Sequence, residues 1–211
     1  MPAPLPPTTL EGVAVRLEPL GVEHLDGLLA ACSGPRDTYQ FTWVPEPTSS
    51  QVEVYIRAAL RQHEQGTALP FATRRLDSGE IVGTSRYMNL EYWPNLDLSP
   101  STSEVPDALE IGSTWLAAHA QRTAVNTEAK LLMLSHAFEV YGVKRVNFRT
   151  DARNARSRAN IERVGAVLEG VLRHHQRSAD GANDGVRDTA AYSLLYDEWP
   201  DAKRALEARL R

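Results

Sequence analysis

The sequence has one cysteine, Cys32, so no internal disulfide and no cysteine metal cluster can form. No apolar run approaches the roughly 20 residues that a membrane-spanning helix needs. The N-terminal stretch MPAPLPPTTL is proline-rich and uncharged, without the basic start and apolar middle of a signal peptide. A cytoplasmic location is the expectation, with no membrane partner. Basic charge is not in excess either. The net charge of −4 gives no support for general nucleic-acid binding. What is present is ordinary for a globular chain: 211 residues, 42% apolar and 24% charged, enough for one sizeable core. Residues 10–211 read as one domain and residues 1–9 as a flexible arm.

The charge is unevenly placed. Residues 1–110 hold 7 Lys and Arg against 15 Asp and Glu, and residues 111–211 hold 16 against 12. Such a split is either an uneven surface or the mark of a protein that joins an anionic ligand to a cationic one.

Periodicity orders the chain. GVAVRLE at 12–18 alternates, with Val13, Val15 and Leu17 on one face, and reads as a strand. A short mixed helix is expected over 22–32, broken by GPRD at 34–37. Ser50-Gln51-Val52-Glu53 fits a capping box, and Val52, Ile56, Ala59 and Leu60 follow at helical spacing until Gly66. Strands are expected at 69–75 and 80–90, turning through LDSG. A polar loop with three prolines fills 91–107, and loops of that length are often functional. A strand at 108–117, a helix at 126–141 and a strand at 145–150 come next. Asn154 then caps a helix at 155–164, which Gly165 stops. Strands at 166–175 and 186–195 and a short helix at 198–210 complete the chain. In the 126–141 helix, Glu128, Ser135, His136 and Glu139 fall on one narrow polar stripe.

AQRTAVNTEAKLLMLSHAF at 120–138 follows the apolar LEIGSTWLA at 109–117. A strand, a turn and a helix bring unpaired N–H groups and the positive end of a helix dipole to one point. That suits a phosphate, and it also describes an ordinary strand-to-helix connection. Phosphate loops usually carry glycines so that the backbone can come close. Here Ala124 and Asn126 stand in those places, and Arg122 adds a full charge. TDARNARSRANIERVGA at 150–166 repeats the arrangement. Asn154 caps its helix, and its amide can also donate and accept toward an amide-bearing ligand. Ser157 lies in the first turn. Arg153, Arg156 and Arg158 around them form either a solvated face or a phosphate grip.

Together these residues resemble the GNAT family of acyl-CoA-dependent N-acyltransferases. The likeness is closest to the branch of the ribosomal-protein N-terminal acetyltransferases RimJ and RimL, and runs over about residues 8–205. EIG-x-x-WL at 110–116, NTEAKLL at 126–132, the N-x-R-S spacing of Asn154 to Ser157, IERVGA at 161–166, EGVLR at 169–173 and RDTAAYS at 187–193 carry it. The family turn reads Gln/Arg-x-x-Gly-x-Gly/Ala; Gln121 fits it, while Ala124 and Asn126 depart. The resemblance implies an α+β fold: a strongly bent, mixed, mostly antiparallel sheet of about seven strands, with helices on both faces. In it the central fourth and fifth strands splay apart to admit a thioester. Gln121, Arg122, Thr123, Ala124, Val125, Asn126 and Thr127 are implied to hold the pyrophosphate of coenzyme A. Leu116, Asn154, Ser157 and Arg158 are implied to complete the cofactor site.

The implied reaction is direct attack of a primary amine on acetyl-CoA, with no metal. The amine must shed a proton, since an alkyl ammonium has a pKa of about 10.4. Glu110, on the strand before the turn, is the candidate base; its other reading is a solvent-facing strand residue. His119, at the mouth of the turn, is an alternative base. A backbone N–H near Leu116, beside a strand bulge, is the implied donor to the acyl oxygen. Ser157 is implied to hydrogen-bond the leaving thiolate, or else only supports the cap. His174-His175 lack a third metal ligand at a known spacing, and His136 reads as structural. Trp43, Trp93 and Trp115 belong to the core or line an acceptor pocket. Relatives build the acceptor site largely from the N-terminal half. Its acidity therefore favours a cationic acceptor: a protein N-terminus, a polyamine, an amino acid or an amine antibiotic. A homodimer formed through the terminal strands or the 91–107 loop is implied in the same way. Two other readings share the scaffold: a non-catalytic acyl-CoA sensor or partner protein, and an enzyme for longer acyl chains.

Overall fold

The computed structural model describes residues 3–97, 99, 101 and 103–210. Strand β1 (Leu10–Glu11) pairs antiparallel with β2 (Val15–Pro19) through Leu10↔Leu17. Val15 and Leu17 are buried, but Val13 is 91% exposed. The strand expected from residue 12 therefore starts later. The N–H groups of Val13, Ala14 and Val15 turn to the carboxylate of Glu128, which bends the chain there. The segment expected as a loose arm carries Leu5, buried in the core, and the Leu5 carbonyl bonds His63 Nε2 at 2.8 Å.

Helices α1 (Leu25–Cys32) and α2 (Ser49–Glu64) follow. The cap of α2 lies ahead of the expected box. Thr48 is extended, with φ of −129°, and its hydroxyl accepts from the Gln51 N–H at 3.4 Å. Thr48-Ser49-Ser50-Gln51 offers the same spacing as the expected box, and Ser50 is already helical.

Strands β3 (Ala68–Arg75), β4 (Ile81–Glu91) and β5 (Ala108–Leu116) form an antiparallel meander. The 91–107 loop lies between the last two; its residues 98, 100 and 102 are outside the described residues. Helix α3 (Ala124–Ser135) runs on as π-helical turns over His136–Tyr141 and stops at Gly142, whose φ of 69° suits glycine. Then come β6 (Arg145–Asp151), α4 (Ala155–Val164), β7 (Val167–Arg177), β8 (Val186–Leu195) and a C-terminal helix, Trp199–Ala208.

The sheet order is β1-β2-β3-β4-β5-β6-β8-β7. All neighbours are antiparallel except β5 and β6. The short β1 takes the sheet to eight strands, so the parallel central pair is the fifth and sixth. Alternate side chains of β4 reveal what covers each face. Tyr87 donates to the Met133 carbonyl of α3 at 2.6 Å, while Thr84 and Arg86 bond Tyr55 of α2. Helices α2 and α3 thus lie on opposite faces.

The β5–β6 pairing runs only from Ala108↔Arg145 to Glu110↔Asn147. Beyond Glu110, β5 stays with β4, and β6 stays with β8. The sheet therefore parts down its middle. Among the described residues no helix is long and apolar enough to cross a membrane.

Candidate active site

The parted strands open a cleft of about 880 Å³. One wall carries a bulge. Pairing passes from Thr84↔Trp115 to Arg86↔Gly112, so Ser113 and Thr114 together oppose Ser85. Ser113 takes a φ of 48° to make the step. The Ala117 N–H donates to the Val82 carbonyl at 2.7 Å, on the β4 side. Alternation then turns the N–H and carbonyl of Leu116 to the open edge. There the carbonyl accepts from Tyr39 Oη at 3.0 Å and Gln121 Nε2 at 2.9 Å, which leaves the N–H as the donor.

Glu110 stands where the strands part, and it is not solvent-facing: it is 5% exposed. Its Oε2 accepts from Asn89 Nδ2 at 2.8 Å and lies 3.1 Å from the Arg149 guanidinium. Burial pushes the carboxyl upward in pKa. The Asn89 hydrogen bond and the charges of Arg149 and Arg187 pull it back, and burial prevails.

Helix α3 begins at Ala124, two residues before the expected start. Thr123 is its cap: the hydroxyl accepts from the Val125 N–H at 3.3 Å and donates to the Ala120 carbonyl at 2.7 Å. Ala124 and Asn126 are first-turn helical residues, so neither place calls for glycine. The left-handed residue of the turn is Arg122, with φ of 60°. The N–H groups of Thr123, Ala124 and Asn126 have no intrahelical acceptor at this position, and the helix dipole adds positive charge. Ala124 offers only backbone, since its side chain is exposed, and Val125 is buried beneath the turn. Thr127 lines the cleft beside Asn126. Gln121 has a structural duty, bridging Leu116 to Thr38 Oγ1 at 3.0 Å.

Asn154 caps α4 as expected, its Oδ1 accepting from the Ser157 N–H at 3.0 Å. That leaves its Nδ2 as the donor, and both residues line the cleft. The three arginines separate. Arg156 lines the cleft and bonds the Thr38 carbonyl. Arg153 is held by Asp151 and Asp180. Arg158 is drawn away by Tyr192 Oη at 2.9 Å and does not line the cleft. Arg156 and Arg163 line the cleft instead.

His119 is exposed, faces Glu80 at 3.7 Å and lies outside the cleft lining. Trp115 is buried and donates to Tyr55 Oη at 3.2 Å; Trp43 joins it in the lining, and Trp93 does not. His136 packs edge-on against Tyr141 at 4.5 Å, and burial lowers its pKa. Glu128, on the expected polar stripe of α3, is buried under residues 13–15. Of the acidic residues at 1–110, only Glu110 reaches the cleft among the described residues. Among the described residues Glu110 is its one carboxylate, while Arg86, Lys130, Arg149 and Arg187 line it.

Lys130 is not legible from sequence as a site residue. It is 7% exposed, and its ammonium bonds only hydroxyls, Thr114 Oγ1 at 2.7 Å and Ser85 Oγ at 3.2 Å. Burial pushes its pKa down to about 7. In the unfolded chain it keeps its proton to about 10.4. Between those values the unfolded state binds the extra proton, so this residue makes stability rise with pH across that window. Below it the buried charge opposes folding. Lys130→Met is therefore expected to raise stability at pH 6–7 by about 1–3 kcal/mol and to flatten the rise, as read by urea denaturation from pH 6 to 9.

The donor cradle at the start of α3, with Arg122, Arg156 and Arg163 lining the same cleft, fits a polyphosphate. A slot between strands leading to a buried carboxylate fits a slender acyl arm. A family model described as acetyltransferase (GNAT) domain matches residues 14–167. The chain belongs to this family. A GCN5-related N-acetyltransferase from Brucella melitensis superposes with a TM-score of 0.82 at 29% identity, covering 99% of this chain and 89% of that one. A putative acetyltransferase from T. thermophilus gives 0.77 at 36% identity, covering 98% and 99%. Mycobacterium smegmatis RimJ, solved in complex with CoA-disulfide, shares the fold with a TM-score of 0.78 at 20% identity, covering 99% and 98%. No curated protein matches significantly. The protein is an N-acetyltransferase with acetyl-CoA as its acyl donor.

Proposed function

We propose that a primary amine, a protein N-terminus or a small molecule, attacks acetyl-CoA directly with Glu110 as the base. The buried carboxylate at the parting of β5 and β6 carries this reading. Acetyl-CoA supplies the activated acyl carbon and a thiolate leaving group. The N–H groups of Thr123, Ala124 and Asn126 and the Asn154 amide hold it, while Arg122, Arg156 and Arg163 balance its phosphates. Glu110 takes the proton that the incoming ammonium must lose. The Leu116 N–H faces the charge that grows on the acyl oxygen. Ser157 gives the departing sulfur a hydrogen bond rather than a full proton, because a hydroxyl is a weak acid.

Calorimetry with acetyl-CoA and CoA tests the reading. Micromolar binding is expected, weakened about tenfold in Asn154→Ala, as loss of one good hydrogen bond implies. Asn154→Asp keeps the cap but removes the donor, and should weaken binding at least as much. Absence of binding at millimolar cofactor discards the reading.

A further inference from the structure

We infer that the acceptor amine carries a carboxylate, received by Arg86 within reach of the reacting end at Glu110. This rests on the acetyltransferase reading and names its substrate class.

Arg86 is 7% exposed. Its guanidinium meets only neutral groups: Gln62 Oε1 at 2.7 Å, Tyr55 Oη at 3.0 Å and the Tyr55 ring at 5.5 Å. Its Nε–H is buried without a hydrogen bond, and among the described residues no Asp or Glu forms an ion pair with it. A cation buried in that way is costly until an anion joins it. Arg187, half-buried, shares part of the pattern: one nitrogen bonds Gln176 Oε1 at 2.6 Å and its Nε has no hydrogen-bond partner, although Asp151 and Glu110 act on its charge. Both arginines line the cleft.

The phosphates of the cofactor do not explain Arg86. They are served at the start of α3, and Arg86 points to α2 on the opposite face of the sheet. Register places it toward the acceptor end instead. Met88 opposes Glu110 and Arg86 opposes Gly112, so Arg86 and Glu110 are diagonal neighbours on one face. Such neighbours lie about 7–8 Å apart along the sheet, a span that one small molecule can bridge. The amine end would meet Glu110 and the carboxylate end the planar guanidinium fork, which suits a carboxylate. This narrows the expected acceptors to those that, like an amino acid, carry a carboxylate beside the amine. A polyamine would put a second ammonium among Arg86, Arg149 and Arg187.

Thiol release from acetyl-CoA tests the inference with matched amines: the common amino acids, their carboxamides, spermidine and O-phosphoethanolamine. At least one amino acid should be acetylated with kcat/KM about 100-fold above its carboxamide. In Arg86→Gln that preference should fall at least tenfold, mainly through KM, and Arg86→Lys should restore part of it. If Arg86→Gln does not fold, Arg187→Gln and the wild-type preference still decide. Equal or better turnover of carboxamides or spermidine overturns the inference. So does turnover of O-phosphoethanolamine alone, or no amine turned over while acetyl-CoA binds. In each of these cases cofactor binding survives. Failure of acetyl-CoA itself to bind removes the enzyme reading and this inference with it.

Discussion

Glu110→Gln is expected to lower kcat by about 10²–10⁴-fold while acetyl-CoA still binds. The amide keeps the shape and can still bond Asn89, but it takes no proton. The pH profile separates a base from a merely structural acid. A base works ionised, and burial disfavours the ionised form. Wild-type kcat/KM should therefore climb along a limb displaced above the ordinary carboxylate range, and the variant should lack that limb. Arg149→Met removes the charge 3.1 Å away that favours ionisation, so it should move the limb further up. A variant with wild-type rate and an unchanged limb would assign the deprotonation to another group or to water.

Glu128→Ala is expected to cost about 3–5 kcal/mol of stability. The carboxylate accepts from the N–H groups of Val13, Ala14 and Val15 at 2.9, 2.7 and 2.7 Å. Truncation leaves those donors facing a hole. Glu128→Gln keeps an oxygen for some of them and should lose less than half as much. Gly12→Ala shares the defect, because its new Cβ would stand 2.5 Å from the Glu128 carboxyl carbon. Urea midpoints of the three variants check the ranking. Glu128 sits one turn past the start of α3, so the same substitution should also weaken acetyl-CoA binding. A midpoint unchanged in Glu128→Ala would mean that water replaces all three bonds.

Local pattern makes most elements legible. The 155–164 helix has the boundaries that Asn154 and Gly165 predict, because a cap and a stop are written in single residues. What periodicity cannot supply is the partner across a face. Glu128 and Lys130 look like solvent residues of a helix, and Arg86 like one of a strand. Their burial depends on a bend at residues 13–15 and on a register between β4 and β5, both long-range. The turn before α3 misleads for a different reason. The family pattern puts glycine at 124 and glycine or alanine at 126, but the left-handed step falls on Arg122, and the helix has already begun at both places. The departures from the family pattern thus leave the backbone donors in place, and they give no support to a non-catalytic sensor. Charge counted along the chain misleads as well, since a count of acids says nothing about which side of the sheet they occupy.

Unpaired strand edges usually sit at the rim of a sheet, where they invite other chains. Here two lie in the interior, below Glu110 and Asn147, flanked by α3 and α4. The open part of the β6 edge carries Arg149 and Asp151, and charge on an edge discourages pairing with another strand. The exposed backbone then acts as an unfinished seam. A thin arm bearing its own amide groups can stitch both sides at once, and in doing so would join two half-sheets into one mechanical unit. Acetyl-CoA has such an arm, so the donor should stiffen the middle of the protein that binds it. The amides of β5 beyond Glu110 should gain more protection from hydrogen exchange on binding than those of any outer strand.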